Sequence, residues 1–132
     1  MTKRYIIDAH AWIEYLTATD AGKKVKTIFE ENNNEIYTCA VTLAEVISKT
    51  AREGHDVETA FDILVSNSEI ISVDDQLSKK AGLTHAEIQK TKKDFGLADA
   101  YLLATARSTK SKILTGDPHF RGIKDAFLIT SR

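Results

Sequence analysis

The segment YIIDAHAWIEYL (residues 5–16) places a short apolar run, one aspartate and an amphipathic pattern in direct succession. The apolar run at residues 5–7 predicts a β-strand, and the helical spacing of the apolar residues that follow predicts a helix over residues 9–16. A strand that passes directly into a helix is typical of chains in which helical crossovers join parallel strands. The segment therefore predicts an α/β fold with Asp8 at a strand-to-helix junction.

The same alternation continues along the chain. Four further apolar runs predict strands at residues 36–41, 70–73, 113–114 and 127–129. Apolar residues at helical spacing predict further helices around residues 25–29 and 57–65 and at 43–52, 76–90 and 97–107. Gly82 weakens the prediction for the helix at 76–90. Since parallel strands need right-handed crossovers, we expect a three-layer α/β/α sandwich with a mainly parallel sheet of about five strands.

Length and composition are those of an ordinary globular protein. A chain of 132 residues buries enough surface for one hydrophobic core, and its 42% hydrophobic and 28% charged residues are typical of such a core and its surface. No Ser-, Gly- or Pro-rich stretch indicates a linker, so we expect one domain over residues 1–132. No apolar run approaches the ~20 residues of a membrane span, so we expect no membrane segment.

Charge and cysteine content narrow the function classes. Cys39 is the only cysteine, which excludes an internal disulfide and a Cys-rich zinc site. Together with the lack of a signal-peptide apolar region after Met1, this predicts a cytoplasmic protein. The net charge of -1 and the pI of 6.4 argue against broad electrostatic coating of nucleic acid. They leave contact with phosphate through a bound cation open.

Four acidic residues fall where an open parallel sheet gathers its ligands, beyond the carboxyl ends of the strands. Asp8 follows the first strand, Glu45 lies early in the helix after the second, Asp99 stands in the first turn of a later helix, and Asp117 follows the fourth strand. Carboxylates packed together repel one another without a cation, and Mg²⁺ and Mn²⁺ prefer oxygen ligands. The convergence of the four favours a metal site.

Each carboxylate also has a structural interpretation that the sequence leaves open. Asp8 and Asp117 are both placed to accept a backbone N–H as a helix N-cap. Glu45 has the spacing of a surface ion pair with Lys49. Asp99 complements the positive end of a helix dipole. Taken singly, these interpretations are sufficient, so the metal site depends on the four acting together.

The segments IIDAHAWIEYL, VTLAEVISK, FGLADAYLLATA and ILTGDPHF resemble, in this order, the acidic motifs of PIN domains. The resemblance implies that Asp8, Glu45, Asp99 and Asp117 line a pocket that holds Mg²⁺, with Mn²⁺ as a substitute. It implies metal-dependent hydrolysis of phosphodiester bonds, here of single-stranded RNA, with Thr115 at a supporting hydroxyl position.

The length is similar to that of the VapC-type toxins of toxin–antitoxin pairs. This resemblance implies a VapB-type antitoxin as protein partner, and we expect a homodimer. If helices near the N-terminus leave a groove open, an amphipathic antitoxin segment would bury its apolar face there. The candidate residues are Trp12, Phe29, Phe61 and Leu64, for which ordinary core packing is the alternative.

Two other functions stay open. One is a catalytically weak PIN-type RNA-binding or assembly module, against which the presence of all four acids counts. The other is a phosphoryl-transfer domain of the receiver or phosphatase kind, in which Asp8 would accept phosphate. Asp8 is not followed by DxT, and no acidic pair precedes it. The nucleotide-binding patterns GxxxxGK[ST] and GxGxxG are absent as well.

Basic residues near the acidic motifs are candidates for phosphate contact, with solvated surface as the alternative for each. They are His10, Lys49, Arg52, His119 and Arg121.

Overall fold

The computed structural model describes residues 2–129. The strands are β1 (Lys3–Ile7), β2 (Asn34–Cys39), β3 (Glu69–Ile71), β4 (Lys112–Thr115) and β5 (Ala126–Leu128). The helices are α1 (Ala9–Leu16), α2 (Asp20–Glu30), α3 (Ala40–Arg52), α4 (Val57–Asn67), α5 (Asp75–Ile88) and α6 (Leu97–Thr109), with a 3₁₀ turn at Pro118–Phe120. All strand pairings are parallel, which confirms the predicted α/β/α sandwich. Among these residues no helix is long and apolar enough to cross a membrane.

Strand β1 lies at the centre of the sheet, in the order β3-β2-β1-β4-β5. Its residue Ile6 pairs with Tyr37 of β2 on one side and with Ile113 of β4 on the other. The chain adds β2 and β3 on one side of β1 and then returns to add β4 and β5 on the other. The gap between β1 and β4 is therefore the topological switch point, where an open α/β sheet forms a crevice beyond its strand ends.

The sheet separates two hydrophobic cores. Because successive strand residues point to opposite faces, Ile7 packs into one core and Ile6 into the other. The first core joins the sheet to helices α1 to α4 around Trp12, and the second joins it to α6 and to Phe95 and Phe120. Both isoleucines are fully buried, as expected for a parallel sheet covered on both faces.

Trp12 and Leu64 are fully buried, so ordinary core packing is the correct interpretation for these two candidates, and they do not line an open groove. The Trp12 indole N–H donates to the Thr38 hydroxyl at 3.0 Å, which satisfies its polar atom inside the core. Phe29 is half-buried with its ring centroid 5.1 Å from that of Trp12. Of the four candidates, only Phe61 is exposed, at 40%. Trp12, Phe29 and Leu64 pack in the core between their helices and the sheet, as expected for the apolar faces of helices that cover a sheet.

Several predicted boundaries are wrong by two or three residues. Strand β2 ends at Cys39 rather than at residue 41, and α3 begins at Ala40 rather than at 43. Val41 and Thr42 have high β propensity, but here they form the first helical turn because tertiary packing overrides propensity. Helix α5 ends at Ile88 rather than at 90, and it continues through Gly82.

Helices α1 and α2 approach one another closely at Gly22. A Cβ atom at this position would overlap the Glu14 carbonyl oxygen and lie 2.6 Å from its carbon. Both of these atoms belong to the backbone, so neither can rotate away. Gly82 in α5 is the opposite case, because a Cβ there would meet nothing within 4 Å.

We predict that Gly22→Ala lowers the free energy of unfolding by roughly 1–3 kcal/mol, because the helices must separate to admit a methyl group. The matched change Gly82→Ala should raise it by about 0.5–1 kcal/mol, since an open helical site gains from the lower backbone entropy of alanine. Urea unfolding of the two variants measures both effects. Equal changes in the two variants would contradict the close approach at Gly22.

Candidate active site

The four acidic residues selected from the sequence line one small cavity of about 40 Å³ at the carboxyl edge of the sheet. Its walls also include small and apolar residues, namely Ala9, Ala98, Leu102 and Phe120, and His10. Two of the acids come from the ends of β1 and β4, and two come from the early turns of α3 and α6. The tertiary structure thus brings together carboxylates separated by more than 100 residues of chain.

Asp8 is the most deeply buried of the four, with 4% of its surface exposed. Its Oδ1 accepts the backbone N–H of Ala11 at 2.7 Å, so it is also the N-cap of α1. Its Oδ2 accepts the hydroxyl of Thr115. Burial disfavours the charged form more than these two hydrogen bonds favour it, and the pKa of Asp8 rises from 3.8 to about 7.

Thr115 joins the ends of the two central strands. Its fully buried hydroxyl donates to Asp8 and accepts the backbone N–H of Asp117 at 2.8 Å. A hydroxyl can do both at once because it carries one donor and two acceptor sites. One side chain at the end of β4 therefore sets the positions of two acids.

Asp99 and Asp117 also have local structural roles. Oδ2 of Asp99 accepts the backbone N–H of Gly96 at 2.9 Å, which caps α6, although glycine has no side chain to return the bond. Oδ1 of Asp117 accepts the backbone N–H of His119 at 2.8 Å and so begins the 3₁₀ turn, with Pro118 at its first position. Burial raises the pKa of Asp99, as does the nearby charge of Asp117, despite the Gly96 hydrogen bond.

Glu45 is the most solvent-exposed of the four. The interpretation of Glu45 as the ion-pair partner of Lys49 is wrong, because the Lys49 ammonium lies 2.9 Å from the carboxylate of Glu53 instead. Lys49 thus reaches toward the end of α3, whereas Glu45 lines the cavity near its start. Loss of surrounding water raises the pKa of Glu45, as do the charges of Asp99 and Asp117. The acids therefore act on one another electrostatically.

His119 belongs to this site more closely than the sequence indicated. Its Nδ1 lies 3.2 Å from Oδ2 of Asp99 and 3.5 Å from Oδ1 of Asp117, and its Nε2 lies 3.3 Å from Oδ2 of Asp94. Burial opposes the charged imidazole, but the carboxylates outweigh it and the pKa of His119 rises above 6.5. In the sequence, the sign of this role is that His119 lies two residues after Asp117. The 3₁₀ turn directs its side chain back toward the acids.

The other basic candidates occupy different positions. Arg52 directs its Nε to the Ser48 hydroxyl at 3.3 Å, and neither it nor Lys49 lines the acidic cavity. His10 does line it, with an exposed side chain whose ring packs so closely against Gly116 that a Cβ there would require the ring to move. His10 is thus placed at the mouth of the cavity.

The donor set fits a hard divalent cation. Ligand atoms of Asp99, Asp117 and His119 all lie within 4.8 Å of one another. Asp8 and Glu45 line the cavity together with Asp99 and Asp117, and His119 lies directly beside it. Burial, and to a smaller extent the neighbouring carboxylates, raise the pKa values of Asp8, Glu45 and Asp99, so a bound cation would favour their charged forms. The cavity has room for an ion and a few waters but not for a nucleobase.

Solved structures with a similar fold include complexes and members of toxin–antitoxin systems. A VapBC2 complex from Rickettsia felis bound to a promoter DNA fragment gives a TM-score of 0.74 at 18% identity, covering 95% of this chain and 96% of that one. A toxin–antitoxin complex from Klebsiella pneumoniae gives 0.76 at 19% identity, covering 97% and 99%. Mycobacterium tuberculosis VapC20, described as a sarcin-ricin loop cleaving toxin, gives 0.72 at 14% identity, covering 92% and 96%.

Comparison with curated protein sequences gives no significant match. The family model of the PIN domain, however, matches residues 5–126. This range includes all four acidic residues of the cavity, and it agrees with the motif resemblance found in the sequence. Because the match spans most of the chain, the protein belongs to the PIN domain family.

Proposed function

We propose that this protein is a metal-dependent endoribonuclease that hydrolyses phosphodiester bonds of single-stranded RNA and acts as the toxin of a toxin–antitoxin pair. The observation that carries the proposal is the convergence of Asp8, Glu45, Asp99 and Asp117 on one small cavity in a PIN domain. The similarity to toxin–antitoxin structures supports the toxin assignment.

In this proposal Asp8, Glu45 and Asp99 hold the principal Mg²⁺ or Mn²⁺ ion. Asp117 holds a second ion or orients water through the outer shell. A bound divalent cation lowers the pKa of a water molecule and neutralises charge that develops on a phosphate. The chain supplies the rigid placement of the ligands, through Thr115 and the helix caps, so that they need not reorganise.

The shape of the site supports a flexible polymer as substrate. A cavity of about 40 Å³ is too small to enclose a nucleotide, so in this proposal the acids meet a phosphate group of the chain while the bases stay outside. A single strand can bend its backbone to direct one phosphate inward, whereas a regular duplex is stiffer. His10 at the mouth of the cavity is the candidate for contact with a neighbouring phosphate.

A second, larger cavity of about 470 Å³ supports an antitoxin partner. Its apolar part is formed by Ile13 and Leu16 of α1 and by Ala60 and Ile63 of α4. The rim carries acidic side chains, including Glu53. We propose that an amphipathic segment of the antitoxin buries its apolar face here and directs basic residues toward the rim.

Self-association is also part of the proposal. Leu83 on α5 and Leu97 at the start of α6 are large apolar side chains, 64% and 52% exposed. Leu83 lies beside Ala104 and Arg107 of α6, several turns from Leu97, so each leucine is a separate candidate for a contact between copies. Leu97 lies two residues from Asp99, so a second copy docked there would border the acidic cavity. Sedimentation of the purified protein measures the oligomeric state.

We predict that Asp99→Asn lowers Mg²⁺- or Mn²⁺-dependent cleavage of single-stranded RNA by at least about 100-fold, because it removes one charged ligand while preserving side-chain volume. The amide oxygen can still accept the Gly96 N–H, so the variant should remain folded. Cleavage is measured on a fluorescent RNA, and folding by circular dichroism.

The matched control for this prediction is Asp75→Asn. Asp75 also lies in the first turn of a helix, but outside the cavity, so its variant should cleave like the wild type. Wild-type cleavage by the Asp99 variant would reject the site assignment. If the wild type binds RNA without cleaving it under any metal condition, the RNA-binding alternative is favoured instead.

We predict that Asp8→Asn stabilises the metal-free protein at pH 8 by roughly 1–3 kcal/mol. The pKa of Asp8 is about 7 in the folded protein, against an ordinary value of 3.8. Between these two pH values, the folded wild type therefore keeps a proton on Asp8 that the unfolded chain has released. Its free energy of unfolding should therefore fall as the pH rises from about 4 to 7. The advantage of the variant should vanish near pH 4, as measured by urea unfolding in EDTA.

Added Mn²⁺ tests whether Asp8 is also a metal ligand. It should raise the melting temperature of the wild type, because a ligand that binds only the folded state stabilises it. The rise should be smaller in Asp8→Asn, and smaller in both proteins at pH 5, where protons compete for the carboxylates. An identical response at pH 5 and pH 8 would contradict metal binding by these acids.

We predict that co-expression with the small open reading frame beside the gene yields a complex with suppressed cleavage. Ile63→Glu should weaken this complex by at least about 10-fold, because it places a charge in the apolar part of the larger cavity. Phe61→Glu on the same helix lies outside the cavity and should bind like the wild type. Affinities are measured by calorimetry. Loss of binding in both variants, or in neither, would reject the cavity as the docking site.

A further inference from the structure

The imidazole of His119 lies between carboxylates on both of its nitrogen sides. Nδ1 faces Asp99 and Asp117 at 3.2 and 3.5 Å, and Nε2 faces Asp94 at 3.3 Å. Asp94 is 78% exposed and does not line the acidic cavity. The two nitrogens of the ring are therefore in different surroundings, with Nδ1 toward the cavity acids and Nε2 toward a separate outer carboxylate.

The spacing on the Nδ1 side is that of neighbouring ligands of one metal ion. Ligands 2.0–2.2 Å from an octahedral ion lie about 3 Å apart when they are adjacent. The distances of 3.2 and 3.5 Å from Nδ1 to the two carboxylate oxygens are close to this value. Three donor atoms at these distances need little movement to share an ion.

The contact on the Nε2 side is the one that ligating histidines commonly make. A metal-bound imidazole usually donates its other ring N–H to a carboxylate, which sets the tautomer and holds the ring in place. Asp94 Oδ2 is positioned to accept that hydrogen from Nε2. With the proton on Nε2, the lone pair of Nδ1 points toward the cavity acids.

The loop that carries Asp94 is fastened to the turn that carries His119. Phe95 and Phe120, the next residues in each segment, are both buried and pack edge to face with ring centroids 5.8 Å apart. The Lys92 ammonium donates to the backbone carbonyl of Arg121 at 3.2 Å. These contacts hold the Asp94–His119 pair in register independently of the pair itself.

We propose that His119 is a ligand of the metal centre through Nδ1, and that Asp94 is its positioning residue. The inference rests on the proposed function to the extent that a divalent ion occupies the acidic cavity. A nitrogen donor favours first-row transition ions, whereas Mg²⁺ is best served by oxygen alone. The centre therefore prefers Mn²⁺ over Mg²⁺, and His119 is the source of this preference.

The test measures metal binding in the absence of RNA. The amide oxygen of asparagine lies close to the position of a histidine Nδ1, so His119→Asn replaces the nitrogen donor by an oxygen donor. Mn²⁺ and Mg²⁺ dissociation constants are measured by calorimetry for the wild type, His119→Asn and Asp94→Ala. Pulsed electron paramagnetic resonance of the Mn²⁺ complex reports directly whether a ¹⁴N nucleus is bound. His85→Asn, a histidine on α5 outside the cavity, is the matched control.

We expect ¹⁴N modulation in the wild type and in the His85 control, and none in His119→Asn. The Mn²⁺ dissociation constant should rise by about 10-fold in His119→Asn and in Asp94→Ala. For Asp94→Ala, this is the lower end of the loss expected when the hydrogen-bond partner of a metal ligand is removed. Mg²⁺ binding by His119→Asn should stay within about 3-fold of the wild type, because oxygen suits that ion.

Different results overturn the inference in distinguishable ways. If the wild type binds Mn²⁺ without ¹⁴N modulation, or if His119→Asn binds both ions more tightly, His119 is only a counter-charge to the acids, and the metal-dependent function stands. If the wild type binds neither ion, both the inference and the metal-dependent function fail.

Discussion

The contact between the Thr115 hydroxyl and the buried Asp8 carboxylate ties together the two central strands at the edge where the site forms. The backbone N–H of Asp8 also donates to the Leu114 carbonyl at 3.1 Å, so the first acid sits at the last rung of the β1–β4 ladder. A carboxylate in this position is poorly solvated, because only 4% of its surface is exposed, and this burial raises its pKa to about 7. The fold tolerates it because two hydrogen bonds and the open cavity compensate in part for burial. The chain thus keeps a carboxylate that lowers its stability at the switch point of the sheet, where a candidate ligand group is needed for activity.

The structural and functional interpretations of the acids are compatible rather than exclusive. Asp8, Asp99 and Asp117 each accept a backbone N–H at the start of a helix or turn, and each also lines the cavity. A capping bond restrains the carboxylate to a narrow set of orientations. Local capping therefore contributes to the site, because it restrains three of the carboxylates beside the cavity, with the Thr115 hydroxyl as further support.

The acidic cavity and the larger apolar cavity share two helices. Helix α1 begins beside Asp8 and contributes Leu16 to the apolar cavity near its other end, and α3 carries Glu45 near its start and Glu53 directly after its end. Both helices pack on the sheet as rigid elements of the first core. A partner seated in the apolar cavity would therefore contact the same helices that position two of the acids.

The sequence alone determined the layer architecture and the four candidate acids, because hydrophobic periodicity and the order of the acidic motifs can be read directly along the chain. Element ends were less certain: Val41 and Thr42 join α3 against their strand propensity, since packing decides such short segments. Only the tertiary structure decided which apolar side chains face solvent. Trp12 and Phe61 look alike in a helical stripe, yet one is fully buried and the other 40% exposed. It also decided that Lys49 pairs with Glu53 rather than with Glu45, although each acid lies four residues away, because Glu45 lines the cavity. The contacts of His119 with Asp94 and Asp99 could not be predicted because they depend on where separate segments of the chain come to lie.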